Sequence, residues 1–398
     1  MPIQTPLNPF WFPHTSPVKS VYLAQRTPSV GPAWPLTIFE KTTGNAGVVR
    51  SIMVAVNSVL VDLEVNLHLN IHYDGNAVAD VSVPFGALFG LDNAADFVGQ
   101  GVFTPFFGMP PGGNPKTMGS YRLTYPIPYT NGIKITFSVT GGILPSAWTN
   151  VIYQDTLPAC WNRNLRLFMS QTSASVAAAP NKTGTVSVTV GSQNVTGTGT
   201  AFDSTWVGKC LKDQTTGTGR TYSVGNDDLY VTAVSSGTAL TISSTDAQQI
   251  QTTGTLASTG HRLFDMHTFL SRGAGSRGWV AAMYMGLVSG LADYTSMLEG
   301  NPRLWLSGGV EPDITWSGTE DFLYGAFYWD NALANMAQQQ DEDGGVTARN
   351  ITTGKITGYR VFARDPLRYT NGLTGRWPNI ALGDTITSTW TTVYYEEV

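Results

Sequence analysis

Along much of the chain apolar and polar residues alternate with a period of two, the spacing of a strand that buries one face. LHLNIHY (Leu67 to Tyr73), DVSVPF (Asp80 to Phe85), GIKITFSV (Gly132 to Val139) and TVSVTV (Thr185 to Val190) are of this kind. Gly, Pro and Asn interrupt these runs at short intervals, which predicts many short strands joined by turns, as in a sandwich or jelly roll. No segment keeps a helical period for long, and LANMAQQQ (Leu333 to Gln340) predicts at most one short helix. The longest near-apolar run, WVAAMYMGLV from Trp279, has ten residues, too few to cross a bilayer as a helix.

The style of the chain changes twice. From Gln171 to Ser258 it is rich in Thr, Ser and Gly and nearly free of aromatics, and it consists of short strand-like units such as GTVSVTVGSQNVTGTGTAF and DLYVTAVSSGTALTI. Aromatic-rich sequence lies on either side, so this stretch reads as a small all-β insertion, similar in composition to β-modules of tailed-phage virion proteins. The flanking halves answer each other. YRLTYPIPYTNGIKI (Tyr121 to Ile135) is matched by YRVFARDPLRYTNGL (Tyr359 to Leu373), and NAVADVSVPFGALFG (Asn76 to Gly90) by GVEPDITWSGTEDFLYG (Gly309 to Gly325). Tyr129 and Tyr369 of the two YTNG copies lie 240 positions apart, and without the insertion about 150 remain, near the size of one β-domain. The predicted organisation is an extended proline-rich arm (1–30), a first jelly roll (31–170), the insertion (171–258) and a second jelly roll (259–398). The fold class is all-β: a double, tandem jelly roll with a small all-β insertion domain.

Charge narrows the functions open to such a fold. Only 13% of residues are charged, 23 basic against 28 acidic for a net charge of −5, with no block of one sign. This predicts neither a nucleic-acid groove nor a membrane surface, and suits a protein covered by other copies of itself. The opening MPIQTPLNPFWFPHTSPVKS has several prolines and no apolar core, so it reads as an arm rather than a secretory signal. Cys160 and Cys210 make no disulfide framework and read as free thiols, with a single bridge as the alternative.

Candidate chemistry gathers in SGTEDFLYG, Ser317 to Gly325, where Glu320 and Asp321 precede a run of aromatics. A buried carboxylate without a partner is costly, so these acids either do chemistry or anchor a turn. Together with GVVRSIMVAV (Gly47 to Val56), LHLNIHYDGNAVADVSVPFGALFG (Leu67 to Gly90), SYRLTYPIPYTNGIKITF (Ser120 to Phe137), SGTEDFLYGAFYW (Ser317 to Trp329), GYRVFARDPLRYTNGL (Gly358 to Leu373) and STWTTVYY (Ser388 to Tyr395), the chain resembles glycoside hydrolase family 172, whose members are trimers of tandem jelly rolls. The resemblance spans nearly everything except the arm and the insertion. It implies a catalytic pair for fructose or arabinose furanosides, with Glu299 of MLEGNP as nucleophile and Glu320 as acid/base. A retaining mechanism would place their carboxyl groups about 5–5.5 Å apart. Asn301 stands where the family usually has Asp, and the glycine and tryptophans common before the first Glu are missing. Trp305, Trp316, Asp321 and Tyr324 are the candidate substrate contacts, the aromatic rings as stacking platforms for sugar.

Other signals are bland. His68 and His72 share a strand face but have no acidic or Cys partner at ligand spacing, so no metal is predicted. HRLFDMH (His261 to His267) has no nucleophile-elbow serine to complete a triad. The sequons at Asn181, Asn194 and Asn350 are what a Thr-rich chain produces by chance. No cofactor motif is present. Two functions follow. The first is a bacteriophage virion structural protein, a coat, head-decoration or tail-associated homotrimer whose partners are itself, other virion proteins and a surface glycan. The second is a family 172 retaining furanosidase, located in the cytoplasm rather than the particle.

Overall fold

The computed structural model describes residues 17–25, 35–57, 66–89, 102–103, 107–109, 118–140, 146–157, 164–180, 182–213, 228–250, 254–256, 261–292, 296–323, 343–350, 352–362, 366–381 and 383–398. The first half contains β1 (Lys19–Gln25), β2 (Leu36–Lys41), β3 (Gly47–Asn57), β4 (Leu67–Tyr73), β5 (Val81–Pro84), β6 (Val102–Phe103), β7 (Phe107–Met109), β8 (Met118–Leu123), β9 (Ile127–Tyr129), β10 (Ile133–Val139) and β11 (Ser146–Gln154). After β12 (Leu165–Val176) comes a group of shorter elements. These are β13 (Thr185–Val188), β14 (Asn194–Thr198), β15 (Cys210–Asp213), β16 (Leu229–Ser236), β17 (Ala239–Ile242), helix α1 (Ser244–Gln249), β18 (Gly254–Leu256) and β19 (His261–Phe264). The chain continues with β20 (Met266–Arg272), β21 (Gly278–Ser289), β22 (Arg303–Trp305), β23 (Ile314–Thr315) and the one-turn helix α2 (Thr319–Phe322). Last are β24 (Gly344–Asn350), β25 (Lys355–Val361), β26 (Leu367–Tyr369), β27 (Leu373–Pro378) and β28 (Ile386–Glu397). The predicted helix at Leu333 to Gln340 lies outside the described residues.

Strand order identifies both halves as jelly rolls. In the first, one sheet contains β1-β11-β3-β8 and the other is β2-β10-β4-β5. If the eight principal strands are counted in chain order, the sheets read first-eighth-third-sixth and second-seventh-fourth-fifth. The second half gives the same two orders, β12-β28-β21-β25 and β20-β27-β22-β23. Eight strands wound this way over a shared interior are a jelly roll. The remaining strands β13 to β19 form a seven-stranded sheet, β18-β13-β14-β17-β16-β15-β19, with its own core of Val186, Val195, Trp206, Leu240 and Ile242 among others. This module is therefore inserted between the first two strands of the second roll. Its sheet starts at Thr185 and ends at Phe264, later at both ends than the composition-based 171–258, because β12 runs to Val176 paired with β28, and β19 pairs with β15.

The repeated motifs are the same corner built twice. In the first roll Asn131 Oδ1 accepts from Gly44 N at 2.8 Å, and Gly132 N donates to Asn45 O at 2.7 Å. In the second, Asn371 Oδ1 accepts from Gly275 N at 2.8 Å, and Gly372 N donates to Ser276 O at 2.8 Å. Both YTNG glycines have φ near +90° (92° and 89°), the left-handed region that side chains disfavour. Asp80 and Asp313 also correspond: Asp80 accepts from Tyr73 N and Asp313 from Leu306 N, and each closes the hairpin after the fourth principal strand.

The two rolls share one core. The cluster around Ile52, Phe85, Tyr121 and Ile135 continues into Tyr284, Tyr359, Val393 and Tyr395 of the second roll. Buried tyrosines cross the boundary: Tyr125 and Tyr284 hydroxyls lie 2.6 Å apart, and Tyr395 Oη donates to Pro126 O at 2.8 Å. This explains WVAAMYMGLV. In β21, Val280, Met283, Met285 and Leu287 face the interior of the second roll, while Ala281, Ala282 and Tyr284 face the first. A strand buried on both sides loses its alternation and reads as a continuous apolar run.

Candidate functional site

The candidate carboxylates are carried by two turns that meet under β27. Met297 and Leu298 of a single 3-10 turn are buried in the second core and lead into Glu299 and Gly300. Gly300 lies so close to the next strand that a Cβ there would sit 2.3 Å from Pro378 O. From the other side, the fully buried Thr319 donates its hydroxyl to Gly300 O at 2.7 Å and accepts from Trp377 Nε1 at 2.9 Å. Glu299 and Glu320 each adjoin one residue of that bond, and both are partly buried. The tertiary structure thus brings together segments whose bonded residues are 19 positions apart in sequence.

Glu320 folds back against its own backbone, and a Cβ at Gly318 would lie 2.5 Å from Glu320 Oε2. Asp321 accepts from the Ser317 hydroxyl, a local turn contact, and Arg360 Nη1 donates to Phe322 O at 3.0 Å. Trp316 is edge-on to Phe322 (centroids 5.1 Å, 85°) and packs on the core. Trp305 is not with the carboxylates. It is 5% exposed on the opposite, module-facing side of the sheet, packed on Tyr230 with its Nε1 donating to Val310 O at 3.1 Å. Tyr324 lies outside the described residues. The equivalent corner of the first roll, Gly86–Phe89, has Ala87 and Leu88 where Glu320 and Asp321 stand, both fully buried, and this turn packs against β21 of the second roll. The turn therefore does not need acids to form; Glu320 and Asp321 are partly buried where their counterparts are fully buried.

Sequence reasoning missed a fully buried ion cluster among the described residues. Alternation along β22 and β27 points Leu304, Leu373 and Trp377 inward, and Arg303, Trp305, Thr374 and Arg376 outward, onto the face that the module covers. Arg303 is fully buried there. Its Nη1 donates to Asp228 Oδ2 at 2.9 Å, to Asn301 O at 3.2 Å and towards Cys210 Sγ at 3.4 Å. Its Nη2 reaches Asp228 O at 3.0 Å and both Asp246 oxygens at 3.4 Å. Asp246 also accepts from Tyr230 N at 2.7 Å, and Ser243 Oγ caps α1 by accepting from Asp246 N. Burial disfavours charge on Arg303, but Asp228, Cys210 and Asp246 outweigh it and hold the guanidinium protonated. Burial pushes the Asp228 carboxyl up, with Arg303 pulling it back. Cys210 is a free, buried thiol whose pKa burial raises, so it is a poor nucleophile; Cys160 lies outside the described residues. Glu311 adds a second tie to the module, accepting from Gln193 Nε2 at 2.8 Å and Ser244 N at 3.2 Å. The only trace of this cluster in the sequence is an arginine between apolar neighbours in NPRLWL.

The histidines His267 and His72 make hydrogen bonds within the fold. His267 is buried with Nδ1 2.7 Å from Ser388 Oγ, and Trp390 Nε1 donates to the same hydroxyl at 3.0 Å. His72 Nδ1 lies 3.1 Å from Asn76 O. Among the described residues no group of three or more His, Cys, Asp or Glu is placed to hold a metal, and no helix is long and apolar enough to cross a membrane.

No family model matches the chain, and no curated protein does. Neither comparison supports the resemblance to glycoside hydrolase family 172. Among solved structures, the chain aligns with the crystal structure of the STIV MCP, a viral major capsid protein, over 95% of its length and 96% of that chain, at 8% identity and a TM-score of 0.38. A structure of infectious bursal disease virus, Gt strain, aligns over 96% of this chain and 79% of that one, at 10% identity and a TM-score of 0.09. Neither score reaches 0.5, and the assignment of two jelly rolls stands on the strand order.

Proposed function

We propose that this chain is a structural component of a bacteriophage virion, a coat, head-decoration or tail-associated protein that assembles as a homotrimer and contacts other virion proteins through its inserted module. The observation that carries this reading is how the parts of the chain are fastened to one another. Two jelly rolls are fused through one core, and the module is fastened to the second by a fully buried ion cluster around Arg303. Such a block suits a building unit, and two of the three rings expected to stack on sugar pack against protein: Trp305 beneath the module and Trp316 against Phe322. The low charge agrees with a surface covered by neighbours. Light scattering and negative-stain microscopy of the purified protein over a range of concentrations test it. Trimers or larger sheets, shells or tubes are expected; a monomer at every concentration, absent from particles, would overturn the reading.

One observation favours the second reading, a retaining furanosidase: the Thr319 to Gly300 bond that joins the turns of Glu299 and Glu320. On that reading Glu299→Gln and Glu320→Gln each lower furanoside turnover by about three orders of magnitude or more with the melting temperature unchanged. Unaltered activity in both variants removes it.

A further inference from the structure

Docking of the module leaves a cleft of about 440 Å³ against the second roll. Its wall is the outward face of β27 and β22, with Arg376, Thr374 and Trp305, closed by Tyr230 of the module, Arg272 and the Asn371 turn. The Gly308 to Val310 loop forms its rim, where Val310 is 65% exposed. The volume lies in the range of small-ligand sites and suits one sugar unit.

The two arginines differ in what faces them. Arg272 is neutralised by a bidentate pair with Glu396, both bonds 2.6 Å. Arg376 has no acidic partner among the described residues. Its guanidinium lies over the Trp305 ring, 5.2 Å from the centroid, and Nη1 makes a long 3.4 Å bond to Tyr230 Oη. Its Nε is buried with no acceptor among the described residues. The stacking fixes the plane of the guanidinium and leaves its donors short of acceptors, the state in which arginine takes a carboxylate or phosphate bidentately. Across the sheet Arg303 pairs in register with Arg376, but its charge is already met by Asp228 and Asp246, so the unmet positive charge is at Arg376. The Thr374 hydroxyl beside it adds a donor and acceptor of the kind that recognises a sugar hydroxyl.

We propose that this cleft binds a saccharide unit bearing an anionic group, with Arg376 as the counter-charge and Thr374 and Asn371 as hydroxyl contacts. The site depends on the docked module and stands apart from Glu299 and Glu320, so it holds whether the chain is a coat component or an enzyme. A glycan at this position gives the module a role besides contact between proteins: the seam between module and roll reads a charged surface sugar.

The test is a titration of the full chain with glucuronate, glucose 6-phosphate, glucose, acetate and inorganic phosphate, followed by calorimetry and by the fluorescence of the tryptophan under the cleft. Millimolar binding of glucuronate or glucose 6-phosphate, and not of glucose, is expected; which of the two is preferred separates a carboxylated from a phosphorylated sugar. Arg376→Gln should weaken it by roughly 10- to 100-fold, the worth of a charged hydrogen bond. Gly309→Asp, on the exposed rim, should weaken it by charge repulsion without touching the core, and keeps the test valid if Arg376→Gln disturbs folding. No binding of either sugar acid at millimolar concentration, equal binding of glucose, equal binding of acetate or phosphate alone, or full affinity in Gly309→Asp would each overturn the proposal.

Discussion

Removing the arginine at the module seam gives the sharpest test of how the chain is held together. Arg303→Met keeps much of the side-chain volume but leaves Asp228 and Asp246, both fully buried, without their counter-ion. Breaking a buried ion cluster from one side typically costs about 3–5 kcal/mol, since an uncompensated charge remains in a dry site. For a cooperative unit of more than about 150 residues this lowers the melting temperature by roughly 6–20 °C. The loss should depend on pH with a definite sign. Burial already holds the Asp228 carboxyl above its ordinary value and Arg303 pulls it back, so without Arg303 it rises further; the variant keeps its full stability below the unfolded value near 3.9 and loses it as pH rises. The gap between variant and wild type should therefore be wide at pH 7 and narrow towards pH 4. The triple variant Arg303→Met, Asp228→Asn, Asp246→Asn, which removes the charges together, should recover at least half of the loss. Calorimetry at pH 7, 5.5 and 4.5 reads all three. A single variant that melts with the wild type at pH 7, or whose deficit grows on acidification, would show that the cluster is not the anchor described here.

Two further predictions use the same logic elsewhere. Burial lowers the pKa of His267 to about 4; between the unfolded value near 6.5 and that pH the unfolded chain binds a proton that the folded one does not. Stability is therefore complete above pH 6.5 and falls by up to about 3 kcal/mol as pH approaches 4. His267→Gln should lose less over that window in urea titrations, and parallel losses in both proteins would refute the assignment. Gly132→Ala combines a φ of +92° with a Cβ 2.9 Å from the Thr42 carbonyl, whereas Gly44→Ala has a φ of +88° and nothing within 4 Å. The first should cost about 1–3 kcal/mol and the second nearer 1 kcal/mol, read as denaturant midpoints, and a reversed order would contradict the corner as described.

What could be read in the sequence was local or repeated. Period-two alternation marks β4 and β10 because it reflects which face of a single strand is buried. The YTNG copies could be paired by eye because each needs the same asparagine bond and the same left-handed glycine. Glu299 and Glu320 could be named from motifs, yet it took the Thr319 bond to Gly300 to show that their turns meet. Trp305 has the look of a sugar platform in the sequence because an aromatic in a strand looks the same whichever body covers it.

By itself the sequence determined an all-β chain made of a duplicated jelly roll with a different β-module inside it, because strand periodicity, turn chemistry and internal repetition are written in neighbouring residues. Only the tertiary structure decided that the module sits on the outward face of β22 and β27 and that Asp228 and Asp246 converge on Arg303 there. It alone left Arg376 over a cleft without an acid of its own among the described residues. Those pairings join residues 57 to 146 positions apart, and no local pattern constrains them. They are set by which surfaces bury one another, and the free energy of that burial belongs to the assembled layers rather than to any one strand.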